Sequence, residues 1–267
     1  MAQPNSLTTH FRAERLFTID RHMHPLLQET SHRPIAMPSA KWAMKQKWHD
    51  LLFAHWPFAQ EKLRQLVPQE LELDLFDGTA YVSVTPFWMS GIRGRVAPPL
   101  PFFYKFCELN VRTYVRYKEV PGVYFFSLDA ASLPAVVGAR AVYKLPYRHA
   151  AMIIRSSGTS YEYTSSRLQM PRPANFLATY EPVSETRVRE KGSLEYFLTE
   201  RYCLYTVDRG QVLRAYIHHK PWLLQDADAE FYKNTMAEVA GIELPDTKPL
   251  LHFSKELEVL VWWPEKV

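Results

Sequence analysis

One alternating stretch constrains the fold more than any other part of this 267-residue chain. Between Phe106 and Tyr117 the even-numbered positions are polar and the odd-numbered positions are mostly apolar. Successive side chains of a β-strand point to opposite faces, so this period of two predicts a strand with one polar and one apolar face. The polar face carries Glu108, Asn110, Arg112, Tyr114 and Arg116, and the apolar face carries Cys107, Leu109, Val111 and Val115.

The segment from Gly122 to Leu128 is apolar at both parities, which is typical of a strand covered on both faces. Pro121-Gly122 predicts a turn before it, so the two strands should pair as a hairpin. The polar row then lies beside buried aromatic side chains, where a glutamate and an arginine need partners. A ligand-binding site has this character. An internal ion-pair network that only holds a wide barrel together is the alternative interpretation.

Composition favours many short strands in one large domain. Prolines outnumber glycines, 20 to 9, and 47% of residues are hydrophobic. The two cysteines, Cys107 and Cys203, lie in strand-like apolar runs, which predicts buried free thiols in a reducing compartment rather than a disulfide. Neither a signal-peptide core nor a run of about 18 apolar residues is visible, so we expect a cytoplasmic protein without a membrane span.

The net charge of +4 comes from the N-terminal part of the chain. Residues 1–48 contain seven Lys/Arg against three Asp/Glu, and the remaining 25 of each sign balance. Nucleic-acid binding is therefore an unlikely function, limited to a basic arm. Residues 1–37 are polar without a sustained period, which predicts a flexible or loosely docked arm, followed by a single domain over residues 38–267.

Local patterns predict an α+β, mostly antiparallel β fold. We expect hairpins at residues 71–85 around Asp77-Gly78, at 150–165 around Gly158 and at 202–218, with further strands at 175–180 and 257–263. Helices are predicted at residues 60–67, 194–198 and 226–240, the last closed by Gly241. Residues 86–104, rich in proline, are predicted to be irregular, either a lid over a site or a surface loop.

Histidine pairs occur at His22/His24 and at His218/His219. Metal ligation is the less favoured interpretation of both, because further ligands are not close in sequence and neighbouring residues of a strand face opposite ways. Gly-rich phosphate loops, nucleophile elbows and zinc spacings are absent from the sequence. We therefore expect neither a metal nor a common cofactor.

The chain resembles a known family in four segments: Trp48 to Pro57, Glu108 to Val115, Gly122 to Ala130, and Ala139-Arg140 followed by Leu145-Pro146-Tyr147. These look like the YqjF-like proteins, an uncharacterised family catalogued as a domain of unknown function, and the likeness covers roughly Pro38 to Pro264. The resemblance implies a fold related to acetoacetate decarboxylase: a curved, barrel-like antiparallel sheet with a few short peripheral helices and a site in its interior. It implies no established activity.

The wider likeness is sharpest from Arg140 to Arg148, which resembles the decarboxylase segment Arg-Glu-Ile-Trp-Gly-Phe-Pro-Lys-Lys. In the decarboxylases the first lysine forms a Schiff base and the second lowers its pKa. Tyr147 and Arg148 occupy these positions here, and neither can form an imine. Lys144, three residues earlier on a segment that we expect to be extended, would face the other way. The resemblance also sets Glu108 near an active-site glutamate.

The sequence therefore predicts a small-molecule site without Schiff-base chemistry. Glu108 is the acid/base candidate, and the expected ligand-binding residues are Asn110, Arg112, Tyr114, Arg140, Tyr147 and Arg148. The expected ligand is an anionic or carbonyl-bearing metabolite. Whether the protein is an enzyme or a non-catalytic sensor on the same scaffold stays open at this point.

Overall fold

The computed structural model describes residues 24–97, 104–168 and 173–267. Its strands are β1 (Met44–Phe58), β2 (Glu72–Leu73), β3 (Ala80–Gly94), β4 (Lys105–Tyr117), β5 (Val120–Ala130), β6 (Tyr147–Ser157), β7 (Ser160–Arg167), β8 (Asn175–Pro182), β9 (Cys203–Asp208), β10 (Gln211–His218), β11 (Gln225–Asn234), β12 (Leu250–Val261) and β13 (Glu265–Lys266). The α-helices are α1 (Gln60–Arg64), α2 (Leu133–Tyr143) and α3 (Leu194–Thr199), and 3-10 helices span Pro25–Gln28 and Glu238–Ala240.

These strands form one sheet that closes on itself. The order is β13-β10-β9-β5-β6-β7-β8-β11-β12-β1-β3-β4-β2, and the additional β4–β5 pairing joins distant parts of that order into a ring. Strand β5 runs parallel to both β6 and β9, and the other pairings are antiparallel. The mixed, curled sheet with short peripheral helices confirms the predicted fold class. Closure also hides backbone edges that would otherwise be exposed.

The period of two in β4 separates two hydrophobic clusters, as the sequence predicts. Leu109, Val111 and Val115 pack into a cluster with strands β1, β7, β8 and β11. The opposite face of β4 carries Tyr114, which packs in a second cluster with side chains of β1, β5 and α3. The polar row of β4 lies on this second side, inside the ring. The apolar face anchors the strand while the polar face looks into the interior.

Strand β3 corrects the expected loop at residues 86–104. Residues up to Gly94 belong to the strand, with Met89 opposite Phe106 and Ser90 opposite Lys105. Pro86 is tolerated because the β1–β3 register jumps between His49 and Ala54, so no partner on β1 needs its missing N–H. Residues 86–94 of the suggested lid are therefore strand, and its residues 98–103 lie outside the described part.

Three further expectations about local structure are wrong, the third of them in part. Residues 226–240 form strand β11 and a short 3-10 helix rather than one long helix, although Gly241 does cap that short helix at φ 78°. The β4–β5 turn is at Lys118-Glu119, both at positive φ, so Pro121-Gly122 lies inside β5. The Asp77-Gly78 turn is confirmed, but β2 pairs with β4 instead of β3.

Helix α2 was not predicted, and it changes the position of Arg140. Ser132 caps its N-terminus, accepting a hydrogen bond from the Ala135 N–H, and Pro134 suits the first turn. Lys144 ends the helix in the left-handed conformation at φ 55°. The segment before Tyr147 is thus helical where an extended strand was expected.

The remaining hairpins, the short helices α1 and α3 and the buried free thiols of Cys107 and Cys203 agree with the predictions. Within the N-terminal region, residues 1–23 are outside the described part. The adjoining Arg33 is buried and donates hydrogen bonds to the Ile217 carbonyl and the His218 ring. Among the described helices, none is long and apolar enough to cross a membrane.

Candidate functional site

A cavity of about 130 Å³ lies inside the ring, and we call it the inner chamber. Strands β1, β3, β4 and β5 form one wall, and residues following α3 and β10 form the other. Its lining residues are Met44, Gln46, Trp48, Leu51, Phe53, Thr85, Phe87, Glu108, Asn110, Arg112, Val123, Phe125, Ala139, Tyr143, Leu145, Thr199, Arg201, Cys203, Leu204, Ile217, His219, Trp222 and Val261. Mostly apolar walls with a few polar groups are typical of a small-molecule site.

Glu108 is the most perturbed acid of the chamber. It is 4% exposed, and burial raises the pKa of its carboxyl to about 8. The Tyr147 hydroxyl donates a hydrogen bond to Oε2 at 2.8 Å, which opposes the rise, whereas the nearby Asp129 adds to it. The Tyr163 hydroxyl donates to the Glu108 backbone carbonyl at 2.8 Å and fixes the strand. Glu108 is thus a carboxyl group that can hold or release a proton near neutral pH.

Asn110 and Arg112 continue the same face of β4 deeper into the ring. Both are without a complete set of hydrogen bonds among the described residues: Asn110 Oδ1 and Arg112 Nε are buried and unpartnered. Arg112 also lies over the Phe53 ring at 5.2 Å, and it forms no ion pair with a described carboxylate. A partly buried guanidinium without an anion is costly, so the chamber is suited to a ligand that brings one.

The opposite wall contributes polar groups that sequence reasoning missed. Arg201 Nη1 donates to Asp74 at 2.5 Å, but its Nη2 has no described partner. Trp222 Nε1 is likewise buried and unpartnered. Arg201 lies in the connection after α3, and Trp222 lies in the connection after β10. No alternating pattern in the sequence indicates that these two side chains face a cavity. Their positions become apparent only once the ring has closed.

His219 was predicted to be structural, yet it also lines the chamber. Its Nδ1 lies 2.6 Å from the Lys220 carbonyl, an acceptor, so Nδ1 carries the proton and Nε2 is an acceptor. Burial lowers the pKa of His219 to about 3 and keeps the ring neutral. Nε2 is buried without a described partner. His219 therefore offers the chamber a hydrogen-bond acceptor opposite Arg112 and Asn110.

The predicted site residues divide into three groups. Glu108, Asn110 and Arg112 line the chamber, and Tyr147 reaches it through Glu108. Tyr114 is fully buried behind the chamber, with its ring 5.0 Å from the Arg201 guanidinium.

Arg140 and Arg148 are exposed and are not among the chamber's lining residues, so the expected convergence does not include them. Arg140 points outward because its segment is helical. Arg148 belongs to β6 and lies opposite Asp129 of β5.

Metal binding finds no support in the histidine pairs. No group of three or more His, Cys, Asp or Glu side chains in the described part of the chain is arranged to hold an ion. The His218 ring instead donates from Nε2 to the Leu26 carbonyl at 2.8 Å and accepts from Arg33. His24 caps the 3-10 helix at Pro25–Gln28, and His22 lies outside the described residues.

Two sequence comparisons identify the family of the chain. The profile of domain of unknown function 2071, described as an uncharacterized conserved protein, matches residues 45–258. The chain belongs to this family. The uncharacterized protein YqjF of Bacillus subtilis is 46% identical over 237 residues, which cover 89% of this chain and 98% of that protein.

Solved structures with the same fold extend the comparison to enzymes. Acetoacetate decarboxylase from Legionella pneumophila matches with a TM-score of 0.59 and 14% identity, covering 87% of this chain and 92% of that one. The enduracididine biosynthesis enzyme MppR, complexed with pyruvate, matches with a TM-score of 0.58 and 9% identity, covering 86% and 92%. At these identities the comparisons establish the fold of the family member, an acetoacetate decarboxylase-like ring.

Proposed function

We propose that the inner chamber binds a small carboxylate that carries a second oxygen function, such as a keto acid. The observation that carries the proposal is the row along β4. It contains a carboxyl group with a pKa near 8, and an amide oxygen and a guanidinium that have no hydrogen-bonding partner and no anion, respectively, among the described residues. In this arrangement Arg112 binds the ligand carboxylate. Asn110 Oδ1 and His219 Nε2 are acceptors, so they bind the hydroxyl group of an enol or of a hydroxylated keto acid rather than the carbonyl oxygen.

Glu108 is the group that acts on the ligand. In its neutral form it donates a hydrogen bond to a carbonyl oxygen, and in its ionised form it removes a proton from the adjacent carbon. The electron pair left on that carbon moves to the carbonyl oxygen, giving an enolate. A pKa near 8 makes both forms accessible in neutral solution. Tyr147 orients the carboxyl group and provides no amine, so the reaction class is proton transfer without an imine.

The pyruvate complex of MppR supports the choice of ligand class, as that protein has the same fold and its structure contains a keto acid. A non-catalytic ligand-binding or sensor protein remains the second candidate. The favouring observation is Tyr147, which stands where the decarboxylase-like segment has its lysine. The two candidates differ in turnover and share the same binding residues.

The test combines ligand binding with isotope exchange. Calorimetry with pyruvate and acetoacetate should show binding to the native protein and a loss of at least tenfold in affinity for Arg112→Met, which keeps the aliphatic stem and removes the charge. Arg155→Met is the matched control, since Arg155 is exposed and pairs with Glu162 on the hairpin surface. Equal affinity in both variants would remove Arg112 from the site.

Proton NMR in heavy water then separates enzyme from binding protein. If Glu108 transfers protons, the protein should accelerate exchange of the pyruvate methyl protons, and Glu108→Gln should abolish the acceleration without abolishing binding. Binding without any exchange would favour the sensor. Keto-acid binding that neither Arg112→Met nor Glu108→Gln weakens would contradict the proposal as a whole.

A further inference from the structure

A second, larger cavity adjoins the inner chamber, and we call it the outer chamber. Its volume is about 780 Å³, and its lining residues are Ala40, Lys41, Trp42, Ala43, Met44, Gln46, Met89, Ile92, Arg93, Gly94, Arg95, Val96, Ala97, Phe106, Ala135, Gly138, Ala139, Val142, Tyr143 and Trp263. Met44, Gln46, Ala139 and Tyr143 line both chambers. The two cavities therefore share a wall.

The strands give this pair of chambers a direction. Along one face of β4, Phe106 lines the outer chamber, and Glu108, Asn110 and Arg112 line the inner one. The facing strand β3 repeats this order, with Met89 opposite Phe106. A ligand whose carboxylate lies on Arg112 has its other end directed past Glu108 toward Phe106. Each step of two residues along a strand is about 7 Å, so the row spans about 20 Å.

The two volumes differ in what they can hold. Cavities that bind drug-sized ligands measure roughly 300–1,000 Å³. The outer chamber is within this range and the inner chamber is below it. The inner chamber alone suits a head group of a few atoms, and anything larger must extend outward.

The lining of the outer chamber indicates what extends into it. Aromatic and aliphatic side chains dominate, and several are unusually exposed for their type: Val96 at 85%, Trp263 at 63% and Val142 at 41%. Exposed apolar surface around a cavity marks a place where apolar ligand atoms are buried. The charged residues among its described lining, Lys41, Arg93 and Arg95, are all basic, so an anionic ligand is attracted on approach.

We infer that the ligand is a carboxylic acid with a long apolar tail, whose head occupies the inner chamber and whose tail occupies the outer one. This inference rests on the proposed function and adds the substrate class to it. Helix α2 supplies the floor under the tail, where small side chains keep the space open. At Gly138, an added Cβ would meet no atom within 4 Å.

Gly138 provides a substitution that fills the outer chamber without disturbing the head-group site. Gly138→Phe places a ring in the open space that the tail needs. The matched control is Val137→Phe, because Val137 is the neighbouring residue of α2, is 60% exposed and does not line either chamber. Thermal unfolding of both variants should match the native protein, which establishes that each one is folded.

The experiment measures affinity by calorimetry for pyruvate and its straight-chain homologues α-ketohexanoate and α-ketodecanoate. Affinity should rise about fourfold per added methylene until the outer chamber is full. Gly138→Phe should remove this rise and leave pyruvate binding unchanged, whereas Val137→Phe should preserve it. Affinity that is independent of chain length would overturn the inference while the proposed head-group site stands.

A second series of ligands, straight-chain alcohols, tests the apolar outer chamber separately from the proposed head-group site. Hexanol and decanol contain the tail without the carboxylate, so their binding makes no demand on Arg112. Decanol binding that Gly138→Phe abolishes, together with no binding of any keto acid, would retain the apolar site and reject the proposed function. Failure of both series would overturn both.

Discussion

Two buried acids on neighbouring strands, Asp129 and Glu108, have opposite surroundings. Asp129 on β5 is fully buried, and Arg167 donates to it through Nε at 3.0 Å and Nη2 at 2.7 Å, a bidentate pair. Glu108 on β4 faces the inner chamber and receives one side-chain hydrogen bond, from Tyr147. The arginine farther along its row, Arg112, has no carboxylate partner among the described residues. One acid has a cationic partner, and the other has none among the described residues.

The difference separates structure from function. A buried ion pair with complete hydrogen bonding holds strands together and leaves nothing for a ligand. The pair of Asp129 and Arg167 ties β5 to β7 in this way. Unsatisfied groups that share a cavity destabilise the empty protein slightly and become satisfied when a complementary molecule enters. Asn110 Oδ1 and Arg112 Nε have this second character, and Glu108 beside them has no cationic partner among the described residues.

The largest expected effect is a difference in the free energy of unfolding between variants of the Asp129–Arg167 pair and variants of the row along β4. Arg167→Ala leaves Asp129 buried without its cation and should lower the free energy of unfolding by about 3–5 kcal/mol. Arg112→Met removes a charge that has no carboxylate partner among the described residues, so it should change stability by less than about 1 kcal/mol in either direction. Urea denaturation of both variants measures the difference.

A double variant tests whether a large loss of stability in Arg167→Ala comes from the unpaired charge. Asp129→Asn combined with Arg167→Met removes both charges and should cost less than the sum of the single changes, because no unpaired charge remains. An equal loss for Arg167→Ala and Arg112→Met would mean that Arg112 is also a structural residue. The inner chamber would then be an internal polar network.

A smaller effect should appear in the pH dependence of stability. The folded protein holds the Glu108 proton up to about pH 8, whereas the unfolded chain releases it near pH 4.5. The stabilisation from this proton is therefore complete below about pH 4.5 and is lost as the pH rises through 8. Relative to Glu108→Gln, the native protein should lose up to about 1.4 kcal/mol per pH unit in this interval.

Urea denaturation of the two proteins between pH 5 and pH 9 measures this difference, in which all other titrating groups cancel. Glutamine keeps an oxygen that accepts the hydrogen bond from Tyr147, so the comparison isolates the ionisation. Parallel stability curves would show that the carboxyl group contacts solvent and has an ordinary pKa. The contrast with the internally paired Asp129 would then disappear.

Features of the fold and site that depend on neighbouring residues in sequence could be predicted, and features that depend on distant segments could not. The period of two in β4 depends on neighbouring residues, so it correctly gave the strand and the inward row of Glu108, Asn110 and Arg112. Strand β3 was missed because Pro86 argues against a strand unless a register shift on β1 is known. Contributions from separate segments, such as His219 and Trp222, depend on how the ring closes.

Arg140 and Arg148 show the converse error. Both were assigned to the site from a segment that we expected to be extended. Arg140 lies instead on helix α2, which the Ser132 cap and the following proline favour, and Arg148 is an exposed residue of β6. The likeness to the decarboxylase segment assigned Tyr147 to the same site as Glu108, and the Tyr147 hydroxyl donates a hydrogen bond to Glu108. It could not give the direction of the flanking side chains, which follows from the left-handed residue Lys144 at the helix end.

The smallest expected effect is an absence of reaction, and it tests whether the unsatisfied region retains any imine chemistry. A Schiff base needs a neutral amine beside the carbonyl carbon, and the described lining of the inner chamber contains no lysine. Lys144 is exposed at the end of α2 and is not among the lining residues of the chamber. Treatment with borohydride and pyruvate or acetoacetate should therefore give no adduct within residues 140–148 by peptide mass spectrometry, and no carbon dioxide. An adduct on Lys144 would mean that the end of α2 unwinds to reach the ligand, so that chemistry is supplied by the peripheral helix rather than by the row along β4.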